Sequence, residues 1–201
     1  MRLLLIRHGQ STWNAEGRIQ GWADPPLNPV GCKQARRLAE RLRQSPPAIL
    51  YSSPLQRALK TAKILGNDWG VPVIVDEGLK EYGIGHVTGL TWQEVVEQLP
   101  AVAERWEKAE RLAIPGEEGR ESFRSRVAAT FEALGSRHSE ETVGVVAHGG
   151  TMGAYLMDLL SLPTTFSPFC FDNGSLSIVE SDPVKPRILL LNDTCHLEGA
   201  V

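Results

Sequence analysis

Cysteine is scarce in this chain. Three occur in 201 residues, Cys32, Cys170 and Cys195, an odd number at wide and patternless intervals. That argues against a disulfide framework and against a cysteine-ligated zinc site, and leaves buried or incidental thiols. Long apolar runs are missing too. The amino-terminal one, Leu3 to Ile6 ahead of Arg7, is too short for the core of a signal peptide and far too short to span a bilayer, so the expected compartment is the cytoplasm, without a membrane partner. Nor is there an excess of positive charge. A formal net charge of −3 provides no field for nucleic acid or an anionic surface, so any anion site must be local. The five histidines, His8, His86, His138, His148 and His196, show no HxH, HExxH or HxxxH spacing, and no aspartate cluster accompanies them. No GxxxxGK[ST] loop and no GxGxxG turn is present. Neither a metal nor a nucleotide cofactor is therefore expected. Repeats, low-complexity segments and linkers are also lacking, and residues 1–201 read as a single domain of ordinary globular composition.

What is present is an alternation of strand and helix patterns. LLLI, AILYSS, VPVIVDEGL and ETVGVVA read as buried strands, with SLSIVES and RILLLND closing the chain. Between them, LNPVGCKQARRLAERL reads as a helix capped by Asn28 with Pro29 at its first position, and SSPLQRALKTAKILG repeats the device with Ser53 and Pro54. TWQEVVEQLP carries a capping box, Thr91 with Glu94, and AVAERWEKAERL continues as a second helix. ESFRSRVAATFEALGSR sets Phe123, Val127, Phe131 and Leu134 on one stripe, and GTMGAYLMDLLSL is amphipathic. Such alternation predicts an α/β fold: a three-layer α/β/α sandwich around a mostly parallel central sheet.

In a parallel sheet the strand ends share one edge, where ligands bind. Here that edge collects RHG after the first strand, SSPLQR after the second, Glu81 after the third and AHGG after the fourth. Two histidines, two arginines and a glutamate are costly to gather without a ligand. Arg7 and Arg57 offer planar forks matched to phosphoryl oxygens; the alternative is a pair of ordinary surface ion pairs. His8 suits attack on phosphorus if one ring nitrogen is free while the other donates to a backbone carbonyl. His148 suits donation to the transferring group, and Glu81 suits protonation of a departing alkoxide.

These stretches resemble the histidine phosphatase superfamily, in its phosphoglycerate mutase-like branch. RHGQSTWN is similar to its nucleophile motif, GRIQGWADPPLNPVGCKQA to the segment that follows, SSPLQRALKTA to its second-arginine motif, LKEYGIGHVTGLT to its acid loop and VVAHGGTMGA to its second-histidine motif. The resemblance runs from Met1 to about Gly153. It implies a phosphoglycerate mutase-like fold and a phosphorylated nucleophile at His8. Arg7, Arg57 and His148, with neighbouring Gly149, would bind phosphoryl oxygens, Glu81 would be the proton donor, Asn14 would touch the phosphate, and Gln20 and Gly21 would wall the pocket. Two departures stand out. Where family members carry PGGES this chain has PGEEGRES, which reads as an insertion placing Arg120, Glu121 and Ser122 at the rim. The longer insertion of the phosphoglycerate mutases, with paired arginines and a proline run, has no counterpart between Leu90 and Pro115, although Lys108, Arg111, Arg120 and Arg124 remain as candidate rim cations.

The expected activity is thus metal-independent hydrolysis of a small phosphomonoester, such as a sugar phosphate or phosphoserine, through a phosphohistidine. A cofactor-dependent phosphoglycerate mutase is the alternative, with a non-catalytic phospho-ligand module behind it. The partner is a small-molecule phosphate ester, and the oligomeric state is left open, a homodimer among the alternatives.

Overall fold

Four apolar residues in a row cannot share one side of a strand, because successive side chains point to opposite faces. In β1 (Arg2–Arg7) Leu3 and Leu5 enter one cluster of the core and Leu4 and Ile6 another. Such a strand needs cover on both faces. The computed structural model, which describes residues 1–108, 113–162, 167–182 and 184–198, shows that cover. β1 lies inside a six-stranded sheet beside β4 (Thr142–Ala147), with which it runs parallel from Arg2 opposite Thr142 to Arg7 opposite Ala147. β2 (Ile49–Ser52) and β3 (Val73–Val75) extend the parallel part, while β5 (Leu176–Glu180) and β6 (Arg187–Asp193) are antiparallel additions on the other side of β1. The order is β3-β2-β4-β1-β5-β6.

One face is covered by α6 (Arg120–Arg137) and α7 (Gly149–Leu159), which contribute Phe123, Val127, Phe131, Leu134, Met152 and Leu156 to the cluster holding Leu3 and Leu5. The other is covered by α2 (Pro29–Leu42) and α3 (Gln56–Trp69), which contribute Leu38, Ala58, Ala62 and Leu65. This is the expected three-layer α/β/α sandwich. Two short helices, α4 (Trp92–Gln98) and α5 (Pro100–Glu107), build a small separate core from Val95, Val102, Ala103, Val87 and Ile114. The end of the helix expected there, with Arg111, lies outside the described residues.

The helix starts show what local sequence decides. Asn28 caps α2 by accepting from Gly31 N–H, with Pro29 inside the first turn, and Thr91 and Glu94 close a reciprocal capping box on α4. The stretch between β1 and α2 contains a single turn of helix, α1 (Thr12–Ala15), held by a capping box between Ser11 and Asn14. Ser53 differs from expectation. Leu55 occupies the cap position of α3 and makes no side-chain cap. The Ser53 hydroxyl instead faces a histidine on another element.

Candidate active site

His8 follows β1 directly, at the carboxyl end of the parallel strands, and is buried. Its backbone N–H continues the sheet to Ala147 O, and its own carbonyl accepts from Asn173 Nδ2 and Gly174 N–H. The ring is oriented by Nδ1, 2.7 Å from the carbonyl oxygen of Gly9. A carbonyl only accepts, so Nδ1 carries the proton and Nε2 keeps its lone pair. Gly9 is required by close approach: a Cβ there would strike the backbone of Gly31 at the start of α2.

Around this ring sit the two arginines and the second histidine. Arg57, only 1% exposed, donates from Nη1 to Ala23 O at 2.7 Å and from Nη2 to Gly21 O at 2.9 Å. Arg7 donates from Nη1 to Phe171 O. Neither forms a salt bridge among the described residues, which sets aside the surface ion-pair alternative. His148, at the N-cap of α7, meets His8 edge-on with ring centroids 5.1 Å apart. Arg7 Nε, Arg57 Nε and His148 Nδ1 are buried without a hydrogen-bond partner. Arg57 is buried and Arg7 half-buried, their only hydrogen-bond acceptors are carbonyls, and the donors left unpartnered are ones an anion would satisfy.

The same surroundings keep both imidazoles neutral. Burial, then Arg57 and Arg7, hold His8 well below the usual histidine range, against the opposing bond to Gly9. His148 is lowered in the same way by burial, Arg57, His8, Arg7 and Arg126. Burial also lowers Arg57 to about 10, with Glu81 opposing.

Glu81 reaches this cluster from the loop after β3. Its Oε1 accepts from Tyr82 N–H at 2.8 Å and its Oε2 from Gly150 N–H at 3.0 Å, in the first turn of α7. Gly150 has no room for a Cβ beside that carboxylate. The loop itself is strapped from behind. Arg126 on α6 donates to Gly78 O, Lys80 O and the Glu118 carboxylate, while Glu118 bonds Gly83 through both its backbone N–H and its side chain. Tyr82 Oη donates to Glu117 Oε2 at 2.8 Å. Within PGEEGRES, then, Glu118 braces the acid loop, and α6 begins two residues later at Arg120.

The remaining expected residues are near but play different parts. Asn14 Oδ1 accepts from Ser11 N–H and Asn173 Nδ2, Gln20 Oε1 accepts from the Ser11 hydroxyl, and Gly21 contributes its carbonyl to Arg57. Gly149 opens α7 with its Cα side toward Arg7 Nε. Lys108 is tied to Glu104 on the surface of α5. Three residues near the site were not singled out for it from sequence: Asn173, which braces His8 and Asn14; Thr61, which accepts from Gly9 N–H; and Ser53, which contacts His148. Ser53 carried a signal, but one that read as a helix cap. Among the described residues no three His, Cys, Asp or Glu side chains cluster as a metal site would need, and no helix is long and apolar enough to cross a membrane.

Comparison with known proteins agrees with this geometry. The family model of the histidine phosphatase superfamily (branch 1) matches residues 3–194. The chain belongs to that superfamily. It is 36% identical to phosphoserine phosphatase 1 of Hydrogenobacter thermophilus over 199 residues, covering 98% of this chain and 94% of that one. Over 186 residues it is 36% identical to a glucosyl-3-phosphoglycerate phosphatase of Mycolicibacterium vanbaalenii, covering 89% and 83%. Among solved structures, a mutant of Entamoeba histolytica phosphoserine phosphatase in complex with phosphoserine superposes with a TM-score of 0.84 at 30% identity, covering 98% of each chain. This histidine phosphatase is accordingly a phosphoric monoester hydrolase with the phosphoglycerate mutase-like fold.

Two neutral buried histidines have a consequence for stability. Unfolding exposes them to water, where each titrates near 6.5. Below that pH the unfolded chain binds protons the folded chain refuses, so stability is full above about 6.5 and falls with pH toward the lower folded values. The melting temperature in phosphate-free buffer is expected to drop between about pH 6.5 and 5, and the slope to flatten in a His8→Asn/His148→Asn double variant. An unchanged slope in that variant would assign the effect to other groups.

Proposed function

We propose that this histidine phosphatase hydrolyses small phosphomonoesters by way of a phosphohistidine at His8, without a metal ion. The observation that carries the reading is the His8 ring itself: Nδ1 committed to Gly9 O, Nε2 bearing a lone pair at neutral pH, and two carboxylate-free guanidiniums beside it. The substrate's phosphoryl oxygens accept from Arg7, Arg57 and His148 Nδ1, which meet the charge of the transferring group with donors already in place. His8 Nε2 forms a bond to phosphorus as the bond to the ester oxygen breaks, and Glu81 gives that oxygen its proton. In the second half Glu81 takes a proton from water, whose oxygen attacks phosphorus and releases phosphate and free His8.

Hydrolysis, rather than transfer between the two ends of a phosphoglycerate, is favoured by what surrounds the mouth. A mutase must hold a second anionic end and keep water from the phosphohistidine. The segment after the acid loop consists of the short helices α4 and α5, and Lys108 there is already paired with Glu104. Small phosphomonoesters of the kinds named for the relatives, phosphoserine and glucosyl-3-phosphoglycerate, are the first substrates to test. The three free thiols accord with a cytoplasmic setting. A homodimer would cover one sheet edge, where Ile74 and Val75 on β3 or Leu189 and Leu191 on β6 stand exposed.

The test is a panel of phosphomonoesters assayed with EDTA, and 3-phosphoglycerate assayed with catalytic bisphosphoglycerate. Phosphate release that survives the chelator, with negligible 2-phosphoglycerate, is expected. Interconversion of the phosphoglycerates at a kcat/KM of about 10⁴ M⁻¹s⁻¹ or more would make the enzyme a mutase.

A further inference from the structure

The catalytic reading needs His148 to present a hydrogen on Nδ1, yet nothing in the imidazole itself decides which nitrogen carries it. We infer that Ser53 makes that choice: it is a positioning residue that fixes the tautomer of His148 by donating to Nε2. The inference rests on the role proposed for His148 and adds a residue to that machinery.

The geometry is a matter of counting hydrogens. Ser53 is fully buried, and its Oγ lies 2.8 Å from His148 Nε2. The other contact of that oxygen is Leu55 N–H, at 3.3 Å, which can only donate. The hydroxyl therefore has one acceptor for its hydrogen among the described residues, and that acceptor is Nε2. A neutral imidazole that accepts at Nε2 carries its proton at Nδ1. His148 is held neutral by burial and the neighbouring guanidiniums, so the ring has one proton to place. Nδ1 is buried with no protein partner, as a donor reserved for a phosphoryl oxygen would be. The reverse arrangement, with the proton on Nε2, would strand the serine hydrogen and turn a lone pair toward an anion.

Backbone shape explains why Ser53 is free for this. α3 starts late, with Leu55 at its cap position, so the hydroxyl is not spent on the N2 or N3 amides of the helix. β2 and β4 are paired, and Ser53 N–H bonds Val146 O just beyond their last paired residues. That bond sets Ser53 beside the residue after Ala147, which is His148.

Removing a group that orients a catalytic ring typically costs about 10- to 100-fold, and Ser53→Ala is expected to lower kcat/KM by that much. In a His148→Ala background, Ser53→Ala should cost less than about twofold, because the residue acts through a ring that is no longer there. An equal loss in both backgrounds would overturn the inference while leaving the phosphohistidine reading intact. If His148→Ala itself retains activity, the role of His148 fails instead. Nitrogen-15 NMR of the unmodified enzyme with bound inorganic phosphate needs no variant: a proton on Nδ1 of His148 is expected, and a proton on Nε2 refutes the assignment.

Discussion

Replacement of His8 by alanine is expected to lower kcat/KM for every phosphomonoester by about 10⁴-fold or more, the scale on which loss of a covalent nucleophile is felt. The reason is structural as well as chemical. No other nitrogen in the cluster has a lone pair to offer: Arg7 and Arg57 are donors only, and His148 directs its Nε2 to the Ser53 hydroxyl. Affinity for inorganic phosphate should survive, because the guanidiniums stay anchored to Phe171, Ala23 and Gly21 whether or not the imidazole is there. Phosphate should therefore still raise the melting temperature of the variant, separating loss of chemistry from loss of fold. A variant that retains turnover within tenfold of the unmodified enzyme would remove His8 from the mechanism.

The second large effect concerns Glu81, and it depends on the leaving group. An alkoxide must be protonated as it departs, whereas p-nitrophenolate leaves unaided. Glu81→Gln keeps the size of the side chain and an acceptor oxygen for one of its two backbone N–H partners, Tyr82 or Gly150, but has no acidic proton to give. Hydrolysis of an alkyl phosphate is expected to fall by about 10²- to 10⁴-fold and that of p-nitrophenyl phosphate by less than about 10-fold in its phosphorylation half-reaction, read as the burst of p-nitrophenol. Equal losses in both would give Glu81 a binding or folding role. The strap behind the loop makes a related point: Arg126 and Glu118 hold the backbone of the loop that carries Glu81, so changes there should weaken the alkyl phosphate more than p-nitrophenyl phosphate.

The gathering of His8, Arg7, Arg57, Glu81 and His148 was legible because each lies at the end of a strand or in the first turns after it. Parallel strands put such positions on one edge whatever the details of packing. Asn28, Pro29, Thr91 and Glu94 were legible for a more local reason, since a cap and its helix are separated by three residues. What could not be read are contacts made between distant elements through atoms that have no pattern. Arg57 is held by the carbonyls of Gly21 and Ala23, and a carbonyl leaves no mark on a sequence. Asn173 stands in a loop before β5 with no motif around it, and reaches His8 only because β5 pairs with β1. Ser53 was visible yet misread: a serine before a proline looks like a cap, and the approach of α7 gives the hydroxyl another partner. Two of the other histidines have structural partners instead. His138 joins Tyr51 to Glu141, and His196 bonds Gly174 O beside Arg41.

The proposed phosphohistidine at His8 has a direct test. The enzyme is mixed rapidly with a ³²P-labelled alkyl phosphate in EDTA and quenched in alkali, where a phosphorus–nitrogen bond persists. Label approaching one per chain, stable in base, lost in acid and carried by the peptide containing His8, is the expected result; label on a serine or cysteine, or turnover that stops in EDTA and returns with added metal, would contradict it.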